Sequence, residues 1–160
     1  MGCRAFHGKW AKAAQDAAPR DLQVKYLLDT NACIALINDK VPSVRTRLRR
    51  SLAGDAKVMV SSVVAFELWY GVAKSARSEA NARLVETFFA GPVSLLAFEP
   101  EDAKVAGRVR ADLEAVGKPI GAYDLLIAGQ ALRHQMTLIT ANGREFGRVK
   151  GLEWEDWAKA

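Results

Sequence analysis

Three acidic side chains stand in mostly apolar surroundings, where a charge needs a partner. Asp29 directly follows the apolar run Lys25-Tyr26-Leu27-Leu28, and Glu67 shares a helical face with apolar neighbours three and four positions away. Asp124 falls in the first turn of a helix with small residues on its own face. Each acid also has an ordinary structural explanation, because Asp29 can cap a helix, Glu67 can form an ion pair and Asp124 can be stabilised by the helix dipole.

A shared site would give these three acids a common chemistry. Carboxylates in a small volume repel each other and raise each other's pKa, so such a cluster normally holds a hard cation, and we expect Mg²⁺ or Mn²⁺. The chain has no Cys/His cluster for zinc and no Gly-x-x-x-x-Gly-Lys-Ser/Thr phosphate loop, and its two histidines do not support a Ser/His/Asp arrangement.

Strands and helices alternate along the chain in an order that can bring the three acids together. Apolar and β-branched runs predict strands at 25–28, 57–61, 93–98 and 136–140, with a short edge strand at 152–157 and helices in between. This alternation predicts an α/β fold of three layers, α/β/α, with a mainly parallel central sheet. The carboxyl ends of parallel strands meet at one edge, which is where ligands bind in open α/β sheets.

Composition narrows the class of protein. The chain has 160 residues, half of them hydrophobic, which is enough for one domain with its own core. Its formal net charge of +5 is compatible with a polyanionic partner such as nucleic acid. No apolar run approaches the ~18–20 residues of a membrane span, and the two cysteines stand in unlike contexts, so we expect a cytoplasmic protein without disulfides. Residues 1–23 are interpreted as a poorly ordered extension before a domain at 24–160.

Four segments carry a resemblance to a known family. They are Tyr26-Leu27-Leu28-Asp29-Thr30-Asn31, 61–68, 120–128, and 138–142 with its continuation Arg144-Glu145-Phe146. In this order, over residues 24–157, they resemble the PIN-domain ribonucleases and, more narrowly, the VapC toxins of bacterial toxin–antitoxin pairs. The resemblance implies a Rossmann-like sheet, a Mg²⁺- or Mn²⁺-dependent endoribonuclease, a homodimer, and neutralisation by a VapB-type antitoxin whose tail occupies the active-site groove.

The resemblance also assigns roles by position. Asp29, Glu67 and Asp124 match the family's acidic metal ligands, while Thr30 and Asn31 match polar residues that support the first ligand. Cleavage of RNA is then expected to leave a 5′-phosphate and a 3′-hydroxyl.

The loop after the last core strand departs from the family pattern. Many members have a fourth acid there, whereas this chain has Asn142, whose amide can bind a water or a phosphate oxygen but adds no charge. Whether one or two metal ions bind is therefore open. Arg144 and Arg148 lie beside this loop and are candidates either for contacts to substrate phosphates or for an ordinary solvated surface.

Three other classes of protein are alternatives to a toxin nuclease. A phosphoacceptor receiver domain would need an Asp after the third strand and a lysine after the last, but 94–98 has no Asp and the last strand ends in Thr140. A non-catalytic PIN-like scaffold would have lost the acids, and all three are present. A PIN-domain nuclease of RNA processing outside a toxin–antitoxin pair stays open, as does the identity of the RNA.

Overall fold

The computed structural model describes residues 23–159, which form five strands and seven helices. Most of the extension predicted for residues 1–23 lies outside the described residues. None of the helices within this range is long and apolar enough to cross a membrane. In chain order the elements are β1 (Lys25–Leu28), α1 (Thr30–Asn38), α2 (Pro42–Ala53), β2 (Lys57–Ser61), α3 (Ser62–Lys74), α4 (Ser78–Phe89), β3 (Ser94–Leu96), α5 (Pro100–Ala115), α6 (Ala122–Arg133), β4 (Thr137–Ile139), α7 (Gly143–Phe146) and β5 (Trp154–Glu155).

The strands form one sheet in the order β3-β2-β1-β4-β5, and all four pairings are parallel. The prediction of a mainly parallel sheet is therefore confirmed. The chain goes from β1 to β2 on one side and later returns to β4 on the other side, which creates a topological switch point between β1 and β4. At this point the Asp29 N–H donates to the carbonyl of Ile139 at 3.0 Å. The first candidate acid thus lies at the crevice where this type of sheet binds ligands.

The third strand is shorter than the sequence predicts. The predicted strand spanned 93–98, whereas β3 covers Ser94–Leu96. The backbone beyond it is satisfied by side chains of neighbouring helices instead of by a strand, because Gln130 donates to the Ala97 carbonyl at 2.8 Å and the Phe98 N–H donates to Ser62 Oγ at 3.0 Å.

Helices α5 and α6 pack closely because a glycine lies at their contact. A Cβ on Gly129 would lie 2.6 Å from the backbone of Ala106, so a side chain there would force the two helices apart. The rest of the core is aliphatic and centred on the inner strands, where Leu27, Leu28 and Leu138 are fully buried.

A buried ionic network fixes the carboxyl end of α6. Asp102 is fully buried and accepts hydrogen bonds from Arg133 at 3.0 Å, from Gln130 at 3.2 Å and from the N–H of Glu99 at 2.8 Å. His134, the C-cap of α6, lies 3.1 Å from the same carboxylate. Burial acts to raise the pKa of Asp102, but these hydrogen bonds and charges hold it below its usual value. The end of α6 opposite Asp124 is thereby anchored.

Candidate functional site

Asp29 caps α1 and lies at the switch point of the sheet. Its side chain is 4% exposed, and Oδ1 accepts a hydrogen bond from the N–H of Ala32 at 2.7 Å, which caps α1. Burial raises the pKa of Asp29 and the nearby charge of Glu67 adds to this, while hydrogen bonds from Thr140 and the backbone partly offset the rise. A helix cap and a metal-binding acid, the two explanations of Asp29 from the sequence, are therefore compatible.

Thr30 connects the first two acids. Its hydroxyl donates a hydrogen bond to Glu67 Oε2, which joins α1 to α3 at the carboxyl edge of the sheet. Helix α3 starts at this edge because Ser61, the last residue of β2, caps it by accepting from the N–H of Val63 at 3.1 Å. Thr30 thus orients Glu67. Asn31 has an exposed side chain, and its backbone N–H contributes to lowering the pKa of Asp29.

Asp124 shows the strongest electrostatic effect at this edge. Its pKa is raised to about 6, first by burial, then by a hydrogen bond with Glu145 and repulsion from its charge, and further by the charges of Glu67 and Asp29. The three predicted acids therefore share one volume with a fourth. We refer to Asp29, Glu67, Asp124 and Glu145 as the acid cluster.

Glu145 is a member of the cluster that was not among the residues predicted from the sequence. It lies on α7, one turn beyond Asn142, and its Oε2 also accepts from the N–H of Gly121 at 3.5 Å. In the sequence, the signal for Glu145 is its position directly before an aromatic residue, Phe146. In the structure Phe146 is 1% exposed. Such an anchored aromatic residue fixes the short helix and leaves the preceding side chain facing the cluster.

Trp154 holds α7 in place from the other side. A Cβ on Gly143 would lie 2.1 Å from the indole ring of Trp154, so the ring packs directly onto the backbone at the start of α7. The position of Glu145 therefore depends on the edge strand β5 as well as on the loop after β4.

The remaining predicted residues surround the cluster. The Asn142 N–H donates to Thr140 Oγ1 at 2.9 Å, and its carbonyl accepts from the N–H of Glu145 at 3.1 Å, so Asn142 forms the turn that leads into α7. Arg144 is exposed. Arg148 donates to the carbonyl of Pro119 at 3.1 Å and thus joins this loop to the segment that precedes α6.

The donor set fits a hard divalent cation. Within residues 23–159, no three His, Cys, Asp or Glu side chains are arranged as a ready-made metal cage. Mg²⁺ does not need one, because it keeps several waters and takes only one or two carboxylates together with substrate phosphates. The raised pKa values of Asp29 and Asp124 reflect burial and mutual repulsion, and a cation would relieve the repulsion. Asp29 and Asp124 are therefore the candidates to hold such a cation, together with Glu67.

The parallel α/β sheet and the acids at its switch point define the class of protein, and comparison with known proteins gives the same class. The PIN domain family matches residues 26–152. A tRNA(fMet)-specific endonuclease VapC of Shigella flexneri is 39% identical over 135 residues, which cover 84% of this chain and 99% of that protein. The chain belongs to the PIN-domain family and, within it, to the VapC ribonucleases.

Solved structures give the same result. DNA-bound VapBC of Salmonella typhimurium matches with a TM-score of 0.78 and 36% identity over 84% of this chain and 99% of that chain. VapBC2 of Rickettsia felis, bound to a DNA fragment from its promoter, matches with a TM-score of 0.76 and 35% identity over 82% and 98%.

Proposed function

We propose that this protein is a Mg²⁺- or Mn²⁺-dependent endoribonuclease that acts as the toxin of a VapBC-type pair. The observation that carries the proposal is that Asp124 interacts with three other carboxylates at the switch point, so that burial, the hydrogen bond with Glu145 and the charges of these carboxylates raise its pKa to about 6. A cation bound between these carboxylates would offset their mutual repulsion.

The residues of the cluster have distinct parts in this proposal. Asp29 and Asp124 hold the cation, and Glu67 contributes directly or through a water while Thr30 fixes its orientation. When bound, Mg²⁺ or Mn²⁺ would offset the charge that develops on the phosphate and lower the pKa of the attacking water. Glu145 orients Asp124 through the hydrogen bond between the two side chains.

The test is cleavage of RNA by purified protein free of any partner. We expect cutting of total RNA with Mg²⁺ or Mn²⁺, none with EDTA, and 5′-phosphate ends on the products. Asp29→Asn and Asp124→Asn should each abolish cleavage, whereas Asp112→Asn, an exposed change on α5, should not. Cutting at the parental rate by either site variant would refute the assignment.

A tRNA is the substrate class to test first. Relatives from Shigella flexneri and Salmonella typhimurium, 39% and 37% identical, are described as specific for tRNA(fMet). Initiator tRNA, an elongator methionine tRNA and ribosomal RNA should be compared side by side, with the cut positions mapped. Faster cleavage of initiator tRNA is the expected result.

We also propose a VapB-type antitoxin as the partner. The supporting observation is an apolar groove between α1, α2 and α4, with a volume of about 310 Å³, lined by Leu48, Leu52 and Phe88 and flanked by Arg45 and Arg49. A second cleft of about 230 Å³ has Ile37 and Leu84 in common with this groove and reaches Glu67. An apolar segment with acidic flanks would fit this path and end at the acid cluster.

The partner is tested in cells. Growth arrest caused by the protein should be relieved by co-expression of the small protein encoded beside it. Leu48→Asp in the groove should keep the arrest but prevent its relief, because a charge there opposes an apolar partner. Relief that survives this change would place the partner elsewhere.

The final parts of the proposal are a homodimer and a cytoplasmic location. The resemblance to VapC proteins supports both, and an RNA substrate is consistent with a cytoplasmic location. Light scattering of the purified protein and fractionation of cells that express it at its native level are the corresponding measurements.

A further inference from the structure

The segment that leads into α6 has little of its own to fix where that helix begins. Gly117 has a φ of +66°, which only glycine adopts readily, and Gly121, the N-cap of α6, has no side chain to cap the first turn. Asp124 lies in this first turn. The buried network around Asp102 anchors the opposite end of α6. The place of Asp124 therefore depends on contacts that come from outside this segment.

Helix α7 and the residues directly after it supply such contacts. Arg148 Nη1 donates to the carbonyl of Pro119 at 3.1 Å, and Glu145 Oε2 accepts from the N–H of Gly121 at 3.5 Å. Glu145 also forms a hydrogen bond with Asp124 itself. The N–H of Arg148 donates to the carbonyl of Glu145 at 3.0 Å, so both side chains extend from the same turn of the backbone. This turn therefore holds the segment at Pro119 and at Gly121.

The backbone that carries Arg148 is fixed to the core. Phe146 and Val149 are 1% and 5% exposed, and the N–H of Val149 donates to the carbonyl of Phe146 at 3.0 Å. The Arg148 side chain itself is half-buried. A hydrogen bond from a charged guanidinium is stronger than one between neutral groups. The contact with Pro119 thus ties a mobile type of segment to a well-packed one.

This arrangement bears on the two roles that the sequence leaves open for Arg148. A residue of an ordinary solvated surface would have no fixed partner, whereas Arg148 donates to a carbonyl 29 positions away. A contact to a substrate phosphate is the other role. Arg148 is less suited to it than Arg144, because the Arg148 guanidinium already binds a carbonyl while Arg144 on the same loop is exposed.

We propose that Arg148 is a positioning residue, which acts through the Pro119 carbonyl to keep Asp124 in place within the acid cluster. This rests on the proposed endoribonuclease function and adds a residue outside the cluster on which that function depends. Loss of the hydrogen bond frees the segment 117–121 and, with it, the first turn of α6. The rate of cleavage then falls, because a displacement of about 1 Å in a catalytic group can cost about a hundredfold. Binding of RNA is unchanged, because Arg148 does not contact it.

The first experiment measures the segment itself and needs no activity. Arg148→Met keeps most of the apolar stem but removes the donor, and Arg148→Lys keeps a donor and the charge. Amide hydrogen exchange is followed by mass spectrometry in EDTA. In Arg148→Met, peptides that cover 117–125 should exchange about fivefold faster or more, as expected for the loss of one hydrogen bond, while peptides from α5 keep the parental rate. Arg148→Lys should lie closer to the parent.

The second experiment separates positioning from contact with RNA. With Mn²⁺, Arg148→Met should lower kcat about tenfold or more and leave KM within about twofold of the parent, and Arg148→Lys should recover much of kcat. RNA affinity is measured over a range of salt concentrations, with Ca²⁺ in place of Mn²⁺ and gels to confirm intact RNA. The slope of log affinity against log salt should equal that of the parent. Arg108→Met, a change at an exposed residue of α5, is the matched control and should behave like the parent throughout.

Three results would overturn the proposal. Parental exchange of 117–125 in Arg148→Met would show that the hydrogen bond does not hold the segment. A raised KM with parental kcat, together with a salt slope smaller by about one, would make Arg148 a phosphate contact. Lower stability with parental kcat per folded molecule would make its role merely structural. Failure of the proposed function looks different, because the parent protein would then cut no RNA with Mn²⁺, whatever the exchange experiment gives.

Discussion

Replacing Asp124 by Asn should stabilise the cation-free protein at neutral pH. Asp124 has its pKa raised from 3.8 to about 6, so the folded state binds a proton more tightly than the unfolded state. For an acid with a raised pKa, stability is highest below about pH 4 and falls as the pH rises towards and past 6. The full shift corresponds to about 3 kcal/mol. Solvent screening at this half-buried position reduces the expected cost to roughly 1–2 kcal/mol.

The assay is urea unfolding in EDTA from pH 4 to pH 8, followed by tryptophan fluorescence. The difference in free energy of unfolding between Asp124→Asn and the parent should be close to zero at pH 4 and should favour the variant by roughly 1–2 kcal/mol at pH 7.5. Asp112→Asn is the control and should show no such trend. Added Mn²⁺ should stabilise the parent and have little effect on Asp124→Asn. A difference that does not vary with pH, or a variant less stable at pH 7.5, would refute the reasoning about the acid cluster.

Three further changes test other parts of the structure. Gly143→Ala places a Cβ against the Trp154 ring, so we expect the free energy of unfolding in urea to fall by about 1–3 kcal/mol and cleavage to be reduced. Parental stability and activity in this variant would contradict the close packing. Thr30→Val removes the donor to Glu67 and should lower kcat about tenfold or more, while the free energy of unfolding falls by about 1 kcal/mol. Thr30→Ser should restore kcat. A loss of stability without an effect on kcat would contradict an orienting role. Asp102→Ala removes the buried acceptor of Arg133, Gln130 and the Glu99 N–H, so it should cost about 3 kcal/mol in urea unfolding yet leave the cleavage rate per folded molecule unchanged.

The sequence predicted the fold well because its strands are short apolar runs with turn residues between them. Asp29 was identified for a physical reason that holds in the structure, since it is buried directly after an apolar strand. The reason for Glu67 holds only in part, because Glu67 is half-buried and Tyr70, on the same helical face, is 55% exposed. The roles of Asp29 and Glu67 as metal ligands remain predictions. The parallel sheet with its switch point then explains why distant acids share one edge.

Glu145 and the contact between Phe66 and Tyr123 were not predicted, because both depend on contacts between segments far apart in sequence. The position of Glu145 is set by the packing of Gly143 against Trp154, which joins α7 to a strand of two residues. The ring of Tyr123 meets Phe66 only when α6 and α3 come together, and no periodicity in either segment reveals it. The end of β3 was not predicted for a similar reason, because side chains from α6 and α3 make the backbone hydrogen bonds there that a neighbouring strand would otherwise make.

The position of Glu145 late in the chain has a consequence for biosynthesis. Asp29, Glu67 and Asp124 leave the ribosome before α7 and β5, and the ring that holds Glu145 in place belongs to Trp154, near the end of the described chain. Strand β4, which supplies Thr140 and the partner of the Asp29 N–H, is also among the last elements made. The acid cluster is therefore not yet assembled while α7 and β5 are still inside the ribosome.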